Sequence, residues 1–150
     1  MRASRASVRD VAEYILRRQG AMSAMKLQKL VYYCQAWSLV WDDRRLFAEP
    51  IQAWTNGPVA PALYHAHRGL FTVEPGMVNG DVDNLDEDGR DTIDTVLDYY
   101  GSWNAQQLSD LSHAEQPWVQ ARSDLAHDER GSKEISLVSM AEYYSGLIAD

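Results

Sequence analysis

The chain has 150 residues, 45% of them hydrophobic and 10% aromatic; a chain of that length buries roughly 70% of the surface its unfolded form exposes, and this composition excludes the disordered class. Its formal net charge of −8 is unevenly divided: residues 1–70 carry ten Lys and Arg against five Asp and Glu, net +5, whereas residues 71–150 carry four against seventeen, net −13. Nucleic-acid binding through the whole domain is disfavoured, because phosphate backbones demand a positive footprint, while a basic partner is favoured by steering onto the acidic half.

The arginine-bearing N-terminus has no continuous apolar stretch, since Asp10 and Glu13 interrupt it, and nothing approaches the ~18 apolar residues of a membrane span. The single cysteine, Cys34, cannot form an internal disulfide, and a cytoplasmic protein is expected. Ser7 is placed to cap a helix from Val8 to Arg18 with Val11 and Ile15 on its apolar side, ended by Gly20. Ser23 caps a longer helix in which Leu27, Leu30, Val31, Cys34 and Trp41 follow helical spacing while Tyr32, Ala36, Leu39 and Val40 fill the other side. A helix apolar almost all round is central. Lys26 and Lys29, near its start, form its only charged patch, either a solvated edge or a partner-facing pair.

Asp42 to Arg45 break the pattern, and Leu46 to Thr55 reads as a short strand or extended segment. Asn56-Gly57-Pro58 signals a turn, with Pro58 fit for the first turn of a helix from about Val59 to His67 that Gly69 closes. Phe71 to Asp88 is irregular, with possible small strands at Thr72–Glu74 and Met77–Val78. Capping boxes then recur: Asn84 with Glu87 ahead of Ile93, Val96, Leu97 and Tyr100; Asn104 with Gln107 ahead of Leu108 and Leu111; and Ser112 with Glu115 ahead of Trp118, Val119 and Ala121. Leu125 to Lys133 is polar and reads as a loop. Ser136 caps a last helix through Ala149, with Ile135 and Met140 forming a hydrophobic staple. The sum is a mainly α, compact single domain over residues 1–150, with about six or seven helices and a minor β element in the middle.

Chemistry is sparse along this chain. His65 and His67, two apart, point to different sides of a helix, so no metal site follows from them. The acidic run from Asp81 to Asp88 fails the EF-hand pattern, having Leu85 and Asp86 where an oxygen ligand and glycine are needed. A Cys34–His113 nucleophile pair has no local support, because the cysteine sits among apolar neighbours. Phosphate-binding glycine motifs are missing, and a helix-turn-helix reading of the first two helices requires a polar second helix that this sequence does not supply. No cofactor and no enzymatic activity are expected.

Three blocks, KLQKL with the aromatics after it (Lys26 to Trp37), LFAEPIQAWTNGPVAPALY (Leu46 to Tyr64) and SHAEQPWVQAR (Ser112 to Arg122), give the chain its most specific feature. In order and content they resemble the Panacea domain, the SocA-like family once called a domain of unknown function. That resemblance implies an antitoxin of a bacterial or phage toxin-antitoxin pair, whose partner is a cognate toxin encoded by a neighbouring gene and neutralised by direct binding. An adaptor delivering the toxin to a protease, or a phage-associated binding module with no toxin, are the alternatives. Leu27, Leu30, Trp37, Trp54, Gly57, Pro58 and Trp118 lie in the blocks as expected structural residues. Lys26, Lys29, Tyr64, His67, Arg68 and His113 are candidate partner contacts, joined by Asp86, Glu87, Asp91 and Asp94, whose charge suits a basic toxin.

Overall fold

The computed structural model describes residues 3–126 and 128–148, so Arg2, His127 and the expected last turn at Ala149 lie outside the described residues. Seven α-helices are present among them: α1 (Val8–Gln19), α2 (Ala24–Trp41), α3 (Pro61–His67), α4 (Glu87–Tyr100), α5 (Ala105–Ala114), α6 (Gln116–Ala121) and α7 (Leu137–Ile148). The β content is two small antiparallel pairs, β1 (Met22–Ser23) with β4 (Thr72–Val73), and β2 (Gln52–Trp54) with β3 (Gly57–Val59). The fold is mainly α, as the periodicity implies. No helix among the described residues is long and apolar enough to cross a membrane.

Helix α2 is the axis, packed against α1, α4, α5 and α7. Leu27, Leu30, Val31, Tyr33, Cys34 and Ala36 are all fully buried, so this helix offers no polar reading face for DNA. Its few buried polar residues have a shared task. The chain from Arg44 to Ala60 crosses the surface of α2 with its own strand pairing confined to the β2–β3 hairpin, and the other buried backbone polar groups must be satisfied somewhere. Gln35 accepts from the Leu46 N–H at 2.7 Å and donates to the Phe47 carbonyl at 2.9 Å, while the Ser38 hydroxyl donates to the Arg44 carbonyl at 2.9 Å. Gln28 and Lys29 do the same for Ala60 and Pro58.

Caps set most helix starts. Ser7 and Asn104 form reciprocal boxes with Asp10 and Gln107, and Ser23 accepts from the Lys26 N–H at 3.1 Å. Ser136 accepts from the Ser139 N–H at 3.0 Å at the start of α7, with Ile135 and Met140 both buried. Two expected boxes are corrected. Asn84 ends a short 3-10 turn (Val82–Asn84), and the cap of α4 is Asp86, which accepts from the Gly89 N–H at 2.8 Å and takes a bidentate pair from Arg44 at 2.6 and 2.8 Å. Ser112 lies inside α5 with its hydroxyl on the Ser109 carbonyl, and Glu115 points inward instead of capping.

The irregular stretch 74–84 is tied to α1 by two buried carboxylates. Asp10 accepts from the Asp81 N–H at 2.7 Å and from the Asn84 amide at 3.1 Å, and Glu13 accepts from the Gly76 N–H at 3.0 Å. Gly80 lies directly against the Arg9 carbonyl, where a Cβ has no room. Thr72–Val73 pairs with Met22–Ser23 and not with a local hairpin, and Met77–Val78 is not a strand.

Candidate functional site

The three sequence blocks meet at the β2–β3 hairpin. The first supplies Gln28 and Lys29 from the start of α2; the second is the hairpin itself together with α3; the third lies against the hairpin's other side. From there Ser109, just ahead of the third block, donates to the Asn56 carbonyl at 2.7 Å, and Trp118 donates through Nε1 to the Trp54 carbonyl at 2.8 Å. A fourth segment joins them: the Ala53 N–H donates to the Lys133 carbonyl and the Ile135 N–H to the Ile51 carbonyl, both at 2.8 Å, so residues 133–135 run along the free edge of β2. Arg122, buried over the Trp118 ring, fastens this segment by donating to the Ala53, Ala126 and Glu129 carbonyls.

Between α2, the hairpin, α3 and residues 130–132 lies a cavity of about 830 Å³, within the usual range of ligand pockets. Trp54, Tyr64 and His67 make an aromatic wall, with Tyr64 edge-on to both others at ring-centroid distances of 5.1 and 5.5 Å. Gln28 fixes the deep end. Its Oε1 accepts from the Ala60 N–H at 2.9 Å, which turns its Nε2 toward the Ala60 carbonyl and toward His67 Nε2 at 3.0 Å. With Gln28 as donor, the neutral His67 ring holds its proton on Nδ1. Burial lowers the His67 pKa, with a smaller push from Lys29.

Lys29 is the unusual member. Only 2% of its surface is exposed, and its ammonium donates to the Pro58 carbonyl at 3.1 Å with no carboxylate of the described residues beside it. Desolvation lowers its pKa from the ordinary lysine value to about 8. Gly57 makes room for it: a Cβ there would stand 2.7 Å from Lys29 Cε, and the Gly57 φ of +121° disfavours any side chain. The two lysines therefore do not form one charged patch, and the solvated-edge reading is corrected for Lys29. Lys29 faces inward, and Lys26 is engaged separately, its Nζ 2.7 Å from the Gly101 carbonyl.

The remaining candidates separate. Arg68 is exposed at the end of α3 and does not line the cavity. His113 is half-buried against the Trp118 ring, 3.5 Å from the Ser109 hydroxyl. Of the four acids, Glu87 and Asp91 are exposed; Asp86 is bound to Arg44, and Asp94 accepts from the Tyr14 hydroxyl at 2.9 Å and faces Arg18 at 3.3 Å. Leu27 and Leu30 are fully buried, Trp37 and Trp118 nearly so, while Trp54 is half-buried in the cavity wall. Pro58 lies in β3, opposite Ala53, so the helix begins at Pro61 and not near Val59.

Sequence reading missed Gln28, Asn56, Arg130 and Ser132 as cavity residues. For Gln28 a signal existed, an uncharged polar residue inside an apolar helix. For residues 130–132 none did, because the edge pairing with β2 and the Arg122 anchor, both distant contacts, bring them there. Cys34 is enclosed, with burial pushing its thiol pKa up, which removes it as a nucleophile. No cluster of three or more His, Cys, Asp or Glu among the described residues is arranged to hold a metal ion.

Comparison with known proteins shows where these blocks recur. Residues 27–119 match the family described as "Antitoxin SocA-like, Panacea domain". The chain is 30% identical over 126 residues to a protein named Antitoxin SocA from Caulobacter vibrioides, covering 73% of this chain and 67% of that protein. No solved structure matches.

Proposed function

The chain belongs to the SocA-like Panacea domain family, and we propose that it is an antitoxin, acting as one unit over residues 1–150, which neutralises a cognate toxin by binding it directly. Family membership supports the role, and the outer face of α4 supports the mode. Ile93, Val96 and Leu97 pack inward, leaving Glu87, Asp88, Asp91 and Asp98 exposed along the helix together with Tyr99, 65% exposed. A carboxylate row beside an unburied tyrosine suits a basic protein surface: the charges steer encounter and exclude acidic competitors, and the ring supplies contact area at small entropic cost. Bound there, the antitoxin covers the surface with which a basic toxin engages its own substrate.

Growth of a host expressing the neighbouring gene, with and without this chain, followed by co-purification, tests the reading. Rescue with a stable complex in a protease-deficient host supports neutralisation by occlusion. Rescue that depends on the protease replaces occlusion with delivery for degradation, and a harmless neighbour overturns the antitoxin reading.

A further inference from the structure

The cavity at the hairpin carries a charge opposite to that of the molecule. The chain is −8 overall, yet the cavity lining contains Lys29 and Arg130 and no aspartate or glutamate. Lys29 is the more telling of the two. An ammonium has three N–H donors, and here one is satisfied by the Pro58 carbonyl while the group stays out of water and out of reach of any described carboxylate. A buried charge without a counter-charge is costly, and a structural link to one carbonyl does not require it, since the neighbouring Gln28 serves Ala60 with a neutral amide. The hairpin is also shaped around the lysine, because glycine at 57 is what lets the Cε pass.

We propose that this cavity is a receptor for a single anionic group, a carboxylate or a phosphate carried on an aromatic or apolar body, with Lys29 as its charge partner. Arg130, in the exposed turn ahead of the segment paired with β2, meets the anion from the outer side, Asn56 and Ser132 offer neutral donors, and Trp54 and Tyr64 flank the body of the ligand. The anion arrives either on a free small molecule or on a group presented by a bound protein. The site itself stands apart from the antitoxin reading, and only the second source rests on it.

Benzoate and inorganic phosphate are the probes, titrated into the full chain at pH 7 with amide and indole resonances of Trp54, Asn56 and Gly57 observed by NMR. Saturable shifts at these positions are expected for benzoate at least. Its affinity should fall about tenfold or more in Lys29→Met and several-fold in Arg130→Ser, and should decline in the wild type as pH rises through about 8, where the ammonium is lost. Circular dichroism checks that each variant is folded, and Arg130→Ser, at an exposed position, carries the test if Lys29→Met is not. No saturable shift with either probe, or equal affinity in wild type and the folded variants, overturns the proposal. Once binding is seen, excess benzoate is added to the complex with the neighbouring gene's product: displacement assigns the anion to the partner, and an undisturbed complex assigns it to a free small molecule. Growth rescue is scored separately, so loss of the anion site and loss of the antitoxin reading are told apart.

Discussion

Replacing Lys29 by methionine removes a buried charge while keeping the length of the side chain, and the expected result is a more stable protein. Desolvation lowers the ammonium pKa from 10.5 to about 8; at 1.36 kcal/mol per unit, burying it charged costs about 3 kcal/mol at pH 7 relative to the neutral amine. The lost hydrogen bond to Pro58 returns about 1 kcal/mol of that, leaving a net gain of about 2 kcal/mol. For a chain of this size the gain corresponds to about 4–8 °C in Tm. The pH dependence gives the sharper signature. Between about 8 and 10.5 the unfolded wild type binds more protons than the folded one, so its stability climbs across that window, whereas the variant has no such climb. The advantage of Lys29→Met is therefore full below pH 8 and shrinks toward pH 10.5. Urea unfolding of both proteins at pH 7, 9 and 10.5 measures it. A variant less stable at pH 7, or one whose advantage is the same at all three values, refutes the account of Lys29 as an uncompensated charge. Stability gained at the expense of a ligand site is a familiar trade in proteins.

The remaining predictions concern the hairpin, the tyrosine cluster and α4. Gly57→Ala meets both the +121° φ and Lys29 Cε, and should cost about 2–4 kcal/mol in chemical denaturation; the loss should be smaller in a Lys29→Ala background, where the space is open. Glu115 is buried and accepts from the Tyr33 and Tyr144 hydroxyls at 2.6 and 2.8 Å, yet burial still raises its pKa. The folded state thus holds the proton longer, and this group's contribution to stability falls as pH rises from the ordinary carboxylate value through the raised one. Glu115→Gln keeps an acceptor, abolishes that dependence and leaves stability at pH 7 unchanged or up by about 1 kcal/mol, whereas Glu115→Ala strands the Tyr33 hydroxyl, leaves Tyr144 with the Tyr32 hydroxyl at 3.1 Å, and costs about 2 kcal/mol; urea melts from pH 4 to 8 distinguish them. Reversing Glu87, Asp88, Asp91 and Asp98 to lysine should preserve the helical spectrum, since all four are exposed, while slowing association with the toxin and abolishing its salt dependence in stopped-flow mixing.

Much of the helical frame could be read from the sequence because its signals are local. Ser7, Ser23 and Asn104 sit one residue ahead of amphipathic or apolar runs, and a side chain accepting from the N–H three residues ahead needs no tertiary help. Where two local solutions competed, the distant contact decided. Asn84 and Asp86 are both cap residue types, of which only Asn84 has a glutamate three positions on, and Arg44, forty-two positions from Asp86, settles the cap at Asp86. Pro58 and Pro61 can each open a helix; edge pairing with Ala53 keeps Pro58 extended and leaves Pro61 to start α3. Glu115 matched a capping box in spacing, but the tyrosines of α2 and α7 that claim it are 82 and 29 residues away. The β1–β4 pair, two residues per strand, is too short for any period to register. For the cavity, the sequence blocks marked the hairpin, and a lysine within an apolar helix was the available clue to its chemistry; the outer wall came from a segment with no pattern at all.

That outer wall has a consequence for how such a scaffold diversifies. The floor, Gln28, Lys29 and the hairpin, lies within residues 27–119, the stretch that matches the family, whereas Arg130, Gly131 and Ser132 lie beyond it. Arg122 holds the connecting turn by backbone carbonyls alone, and carbonyls are indifferent to which side chains they carry. Gly131 is held to glycine, since a Cβ there would meet Leu125 and the Arg122 guanidinium, but Arg130 and Ser132 on either side are exposed and can change without loosening the anchor, much as a fixed chuck accepts different bits, so the receptor's inner chemistry stays put while its lip is rewritten.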